Sequence, residues 1–439
     1  MIAHFPNPVQ KNAIAVLDGV RAIACLLVIV YHVNLQAQFV HIWPRDQISP
    51  AVGSLAVMGW TGVTLFFILS GFLLFMPYAK ALIMGDSWPS VRTFFTKRVL
   101  RIFPGYYASL FLIVLFAHPE YFQPAHWREL FLFLIFFMDS DTATFQRING
   151  PFWTLAIEWQ FYMLLPFLAL GFRWLLNRFK VQWRVPALIG CLLLMIAWGL
   201  FTRYWGNYFF AHSDATVLMP RESFNYVLFF LYGVGGKFFE DFAIGMLICL
   251  CYVYTRNASR DHWLTMRLWR VSPLLWLSGL LWLLFMALWP NVPALAFLEP
   301  YIARSGWLVE IGFALGYGLC MMALLFGPFE LKRPFEWMPL RWVGGISYSL
   351  YIWHLPIIFA FMAYVFPYVQ SWHDGVVYAL FWVCVALVVF PFSYAFYRFL
   401  EWPWIKKGSK LSTKERRATL PQAQEQSAED ESRYATARN

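Results

Sequence analysis

The chain has 439 residues and a formal net charge of +10; 60% of its residues are hydrophobic, 21% aromatic and only 13% charged. A soluble domain carries about 25% charged residues, so this composition excludes water as the main solvent. The Lys and Arg residues sit in short loops between apolar runs and in the tail, which reads as a membrane-topology signal and excludes nucleic acid as the partner.

A helix needs about 20 apolar residues to cross a bilayer. In chain order the predicted spans are 14–33, 55–78, 102–117, 152–172, 185–202, 239–255, 273–289, 307–327, 345–366 and 377–399. The expectation is therefore an all-α polytopic integral membrane protein with about ten transmembrane helices. The run Leu130–Met138 is short and is expected to be re-entrant or interfacial, and Tyr226–Tyr232 is also too short to span. No cleavable signal peptide is expected, because the first run is long and contains Arg21 and His32. The cysteines (Cys25, Cys191, Cys249, Cys251, Cys320, Cys384) all lie in apolar runs, so no disulfide and no metal site is expected.

Charge gives an independent test of this count. One set of loops holds Lys80, Arg92, Lys97, Arg98 and Arg101, then Arg173, Arg178, Lys180 and Arg184, then Arg256, Arg260, Arg267 and Arg270, then Lys332, Arg333 and Arg341. Lys11 and the tail residues Lys406 and Lys407 fall on the same side. The opposite loops hold only Arg45, Arg128, Arg147, Arg203, Arg221, Lys237 and Arg304. Short basic loops stay in the cytoplasm, so both termini are expected there. The implied layout is a cytoplasmic N-terminus over 1–13, a membrane domain over 14–404, and a disordered polar tail over 405–439 that includes the acidic stretch Glu425–Glu431.

Ionisable groups at membrane depth are functional candidates by default. Arg21 and His32 on the first span are eleven residues apart, which places them on nearly one helix face and about 16 Å apart along the axis. Arg21 falls near the cytoplasmic end and His32 near the outer end; Asp18 is one turn from Arg21. The structural alternative is a snorkelling Arg and an interfacial His. Glu158, on the fourth span, is placed near the depth of His32, so a Glu158–His32 pair is expected to orient the imidazole as a general base. Arg147 and Lys237 are rival partners for Glu158, and Asp241 and Glu310 for His32. Arg98 and Arg101 share a face at i, i+3 and suit phosphates, or simply flank the inside of the membrane. Ser70–Gly71–Phe72 allows close approach of a helix or ligand. Ser347, Tyr351 and His354 form a polar stripe on the ninth span, which suits either an interhelix hydrogen-bond network or a ligand contact.

Seven segments, LDGVRAIACLLVIVYH, FFILSGFLL, KRVLRIFP, NGPFWTLAIEWQFYMLLP, FEDFAIGML, ISYSLYIWHLP and YRFLEWP, occur in family order, and together they resemble the acyltransferase-3 family of polytopic membrane O-acyltransferases over most of 14–404. The family's first-span Arg and His fall on Arg21 and His32, its RxxR pair on Arg98 and Arg101, and its SGF element on Ser70–Gly71–Phe72. Its fourth-span Glu falls on Glu158, and its C-terminal Glu-x-Pro on Glu401 and Pro403. Ala follows Arg21 where Gly is common. Some relatives carry a fused extracytoplasmic esterase-like domain; none is read here, so acceptor specificity is expected to reside in the membrane domain and its outer loops.

The resemblance implies an acyl-CoA co-substrate, usually acetyl-CoA, a hydroxyl acceptor on a carbohydrate or other glycoside, and no tightly bound cofactor. Arg21, Arg98 and Arg101, with Ser70, are then expected to bind acyl-CoA, with His32 and Glu158 catalytic. Ser347, Tyr351 and His354 are expected to line the tunnel or stabilise the oxyanion. Membrane lipid is the remaining partner. The competing class is a polytopic transporter of a small polar or anionic solute, which more often shows paired Gly/Pro-interrupted spans in two halves.

Overall fold

The computed structural model describes residues 15–42, 49–257, 263–289, 297 and 303–411. The expected N-terminal segment 1–13 with Lys11, the positions Arg45 and Arg260, the side chain of Arg304 and the acidic stretch Glu425–Glu431 lie outside the described residues.

Each apolar run becomes a helix, and among the described residues every regular element is helical. The long helices are α1 (Ala15–Phe39), α3 (Gly62–Ile83), α4 (Val91–Ala117), α6 (Phe152–Leu176), α7 (Val181–Ala211), α9 (Phe239–Asn257), α10 (Trp263–Leu288), α11 (Val309–Phe326), α13 (Met338–Tyr364) and α14, which continues through two π-turns from Asp374 to Leu411; the short α12 (Phe329–Glu336) lies between α11 and α13. A short helix, α2 (Pro50–Val57), leads into α3. Among the described residues, nine helical segments are long and apolar enough to cross a membrane. The tenth expected span is α9, whose 19 residues include Glu240, Asp241 and Arg256. The chain is thus a polytopic all-α membrane protein. The last helix runs to Leu411, past the expected end of the membrane domain at 404.

Neither short apolar run spans. α5 (Trp127–Leu134) has 8 residues and α8 (Arg221–Leu231) has 11, against the roughly 20 that a crossing requires. α5 ends where Phe136 takes a left-handed φ of 60°, and the chain turns back into the bundle. The turn is tied down: Tyr106 and Tyr107 hydroxyls donate to Phe133 O and Leu134 O, each at 2.7 Å, and Gln160 Nε2 donates to Phe136 O at 2.9 Å.

Two pairs of the expected spans show their relative directions. The first and second oppose each other, with Gly59 against Leu27 and Gly62 against Ala24. The first and ninth run the same way: Cys25 meets Ser347, and His32 meets His354. Lipid gives no hydrophobic drive for one helix to leave it for another, so close backbone approach has to hold the bundle together. The α3–α9 contact shows this. A Cβ on Gly71 would sit 2.1 Å from Phe242 O, and one on Gly245 would sit 2.0 Å from Ile68 O. The glycine of Ser70–Gly71–Phe72 therefore serves helix packing, with no room on that face for a ligand.

Candidate active site

Two polar clusters lie along α1, eleven residues apart. The lower one gathers around Glu158 on α6. Ser70 Oγ donates to Glu158 Oε1 at 2.5 Å, and the Tyr162 hydroxyl also hydrogen-bonds that carboxylate. The charges of Arg101, Asp18 and Glu158 act on Arg21, and those of Arg101 and Glu158 on Arg98. The Arg98 guanidinium stands 5.6 Å over the Tyr162 ring, with its Nε–H buried and without an acceptor among the described residues. Arg21 also contacts Asp18 at 3.3 Å, and Arg341 reaches the other oxygen of Asp18 at 3.6 Å. Below these, Glu401 accepts from Ser349, its charge acts on Arg101, and Tyr348 OH donates to Ile102 O at 2.8 Å. Arg21, Ser70, Arg98, Arg101 and Glu158 are all only half-buried. Three guanidinium groups gathered around one carboxylate can hold a polyanion such as a pyrophosphate.

The upper cluster is a histidine pair. Nε2 of fully buried His354 lies 3.1 Å from Nδ1 of His32. His32 Nδ1 also lies 2.9 Å from Val28 O, and His354 Nδ1 lies 3.0 Å from Leu350 O. Tyr31 sets its ring edge to His32 with centroids 5.0 Å apart. Tyr351 lies with its ring centroid 6.0 Å from that of His354, and its hydroxyl meets Thr154 Oγ1 at 2.7 Å. Ser347 Oγ turns back to Gly344 O at 2.9 Å, while the Ser347 carbonyl accepts from Cys25.

The geometry departs from expectation at one central point. Glu158 does not pair with His32; it bonds Ser70 and Tyr162, and His354 occupies the place beside His32. Depth is the reason. Asn149 Nδ2 donates to Ile352 O at 2.9 Å, which sets the start of α6 level with the stretch of α13 that carries His354. Glu158 then lies six residues into α6, roughly 9 Å deeper. None of the rivals pairs with Glu158 or His32 either. Lys237 pairs with Asp139 and bonds Gln160 at 2.9 Å; Glu310 accepts from Thr64 at 3.4 Å; Arg147 is exposed. Asp241 is fully buried with neither carboxylate oxygen partnered among the described residues.

Sequence reasoning also missed the buried Arg203–Glu240 pair, at 2.5 Å, and Tyr162. Tyr162 was open to discovery, since it follows Glu158 by four residues on one helix face.

The bundle thus carries a cluster of three arginines around Glu158 toward one end of α1 and a histidine pair toward the other. The chain belongs to the acyltransferase-3 family, whose acyltransferase-domain model matches residues 14–398. It is 25% identical over 418 residues to the peptidoglycan O-acetyltransferase OatA of Listeria monocytogenes, which covers 91% of this chain and 57% of that protein. It is 28% identical over 360 residues to the putative peptidoglycan O-acetyltransferase YrhL of Bacillus subtilis, covering 78% and 48%. With the O-acetyltransferase OatA of Staphylococcus aureus the identity is 26% over 418 residues, covering 90% and 57%. The chain thus spans about half the length of the curated relatives it matches. No solved structure matches it.

Proposed function

We propose that this chain is a membrane O-acyltransferase that moves an acetyl group from acetyl-CoA, bound from the cytoplasmic side of a bacterial inner membrane, to a hydroxyl of a carbohydrate acceptor on the outer side. The observation that carries this reading is the placement of Arg21 and His32 on one face of the continuous helix α1, about 16 Å apart, with Arg98 and Arg101 converging on the Arg21 end. The names of the relatives support a glycan acceptor. A pantetheine arm laid along α1 brings the thioester from the arginines to the imidazole.

In this mechanism Arg21, Arg98 and Arg101 bind the phosphates, and the unpartnered Arg98 Nε–H is a free donor for a phosphate oxygen. Glu158, held by Ser70 and Tyr162, offsets the mutual repulsion of the guanidinium groups; it acts on donor binding, not on the base. His32 removes the acceptor hydroxyl proton as the oxygen attacks the acetyl carbon. The carbon–sulfur bond breaks and the proton passes to the thiolate, so acetyl-CoA and alcohol give ester and CoA-SH. Tyr351 and Thr154, already paired, line the wall beside the histidines.

The test reconstitutes wild type and His32→Ala in vesicles, with labelled acetyl-CoA on the cytoplasmic side. Label transferred to glycan or water by the wild type, and lost in the variant at equal protein level, is expected. Equal turnover in both removes His32 as the base. No CoA release in either, across a broad acceptor set, favours a transporter.

A further inference from the structure

His354 is fully buried, and both of its ring nitrogens are engaged. Its Nδ1 faces Leu350 O at 3.0 Å, and a carbonyl can only accept. Nδ1 must therefore carry the hydrogen, which leaves Nε2 as a bare lone pair. That lone pair points at Nδ1 of His32, 3.1 Å away. Val28 O, a second pure acceptor, faces the same nitrogen at 2.9 Å. Two acceptors facing one nitrogen require a hydrogen on it. The acceptors around each ring thus assign His32 as the Nδ1–H tautomer, with its own lone pair on Nε2.

We infer that His354 is the positioning residue for His32. It fixes the ring plane of the base and shares the positive charge formed when Nε2 takes the acceptor proton. The inference rests on the acyltransferase reading and deepens it, replacing the carboxylate expected beside the base with a neutral imidazole. Among the described residues no carboxylate hydrogen-bonds either ring, so the imidazolium formed during transfer has only Val28 O and His354 Nε2 to lean on. A hydrogen shared between His32 Nδ1 and His354 Nε2 spreads the charge over two rings, and it returns when His32 gives its Nε2 proton to the departing sulfur. No atom or electron beyond those of acetyl-CoA and the acceptor hydroxyl is needed.

Burial of His354 keeps its Nε2 lone pair for His32 alone. Water at that position would offer His32 Nδ1 a mobile partner and let the ring rotate. Val28 O lies on the same helix as His32 and holds only the hydrogen, whereas His354 comes from α13 and fixes the ring relative to a second helix. Loss of His354 therefore costs orientation while the tautomer survives.

The experiment compares His354→Leu and His354→Gln with the wild type in vesicles. The Gln side chain offers a carbonyl oxygen that accepts from His32 Nδ1, and Leu offers nothing. The expected result is a kcat lower by about 10- to 100-fold in His354→Leu, with KM for acetyl-CoA within about 3-fold, and recovery of at least 10-fold in His354→Gln. A second readout needs no turnover: ¹⁵N-histidine NMR, assigned by difference against His32→Ala, is expected to show His32 protonated on Nδ1 in the wild type and in His354→Leu. Unchanged kcat in His354→Leu overturns the inference. So does an equal loss in both variants, which marks a packing role, or a His32 signal protonated on Nε2. A wild type that transfers no acetyl group overturns the acyltransferase reading itself, and the ¹⁵N spectrum then decides the pairing of the two rings alone.

Discussion

Gly245→Ala adds one methyl group, and its effect is read from the backbone it would strike. The new Cβ would lie 2.0 Å from Ile68 O, where ordinary contact begins near 3.4 Å, so α3 and α9 must separate by more than an ångström. Backbone cannot give way as a flexible side chain does, and overpacking of this kind costs about 1–3 kcal/mol. The shift does not stay local. Ile68 is two residues from Ser70, whose 2.5 Å bond to Glu158 anchors the arginine cluster. A misplacement of about 1 Å at such a group lowers catalysis by about 100-fold. Gly190→Ala is the control, since nothing lies within 4 Å of a Cβ there. Thermal unfolding in detergent and the kinetics of acetyl transfer are measured for both. Gly245→Ala is expected to melt a few degrees lower and to lose acetyl-CoA affinity as Ser70 leaves Glu158, while Gly190→Ala matches the wild type. A Gly245→Ala protein with wild-type melting and wild-type KM would refute the link from helix spacing to donor site.

Arg98→Ala and Arg101→Ala should each raise KM for acetyl-CoA about 10-fold or more, and Lys should recover only part of it, because a point charge cannot replace a fork; initial rates over a donor titration check this. Arg203→Met should destabilise the fold by about 3–5 kcal/mol by leaving Glu240 buried without its cation, and Arg203→Met with Glu240→Met should recover most of that loss in a melting experiment. In intact cells or right-side-out vesicles a cysteine at Asp214 should react with an impermeant thiol reagent, and one at Lys80 should react only after permeabilisation; the reverse pattern would invert the assigned topology.

Much of the fold was legible because the bilayer imposes one rule, that each crossing closes its own backbone hydrogen bonds over about 20 apolar residues. That rule located the spans, and loop arginines and lysines gave a direction to each. It also flagged Leu130–Met138 and Tyr226–Tyr232 as too short. α9 was read as a span despite Glu240 and Asp241, yet it is not among the nine described helices long and apolar enough to cross, and what those acids do was hidden. Glu240 meets Arg203, 37 residues earlier, and no local periodicity reports such a partner.

The site was legible along helices and illegible between them. Arg21 and His32 share a face because eleven residues make nearly three whole turns, and Arg98 and Arg101 share one for a similar reason. The partner of His32 is different in kind. Choosing Glu158 required equal depth on two helices, and depth was counted from where the apolar run begins. The Asn149–Ile352 bond sets a different register, with Glu158 below and His354 level with the base.

That register gives α1 and α13 a joint role. The two helices run in the same direction and touch at both ends of the proposed reaction path. At the lower end a Cβ on Gly344 would lie 1.9 Å from Asp18 O, and Asp18 contacts Arg21 and Arg341 together. At the upper end the imidazoles of His32 and His354 meet. Between the two ends Cys25 Sγ meets Ser347 O, and Cys25 to His32 and Ser347 to His354 are each seven residues of uninterrupted helix, so the rise between those two contacts is the same on both helices. Rigid helices locked at two levels cannot slide at one level alone. In the proposed mechanism the distance from the guanidinium groups to His32 is then set by the helical repeat itself, and a donor whose phosphates are seated at the arginines would bring its thioester to His32.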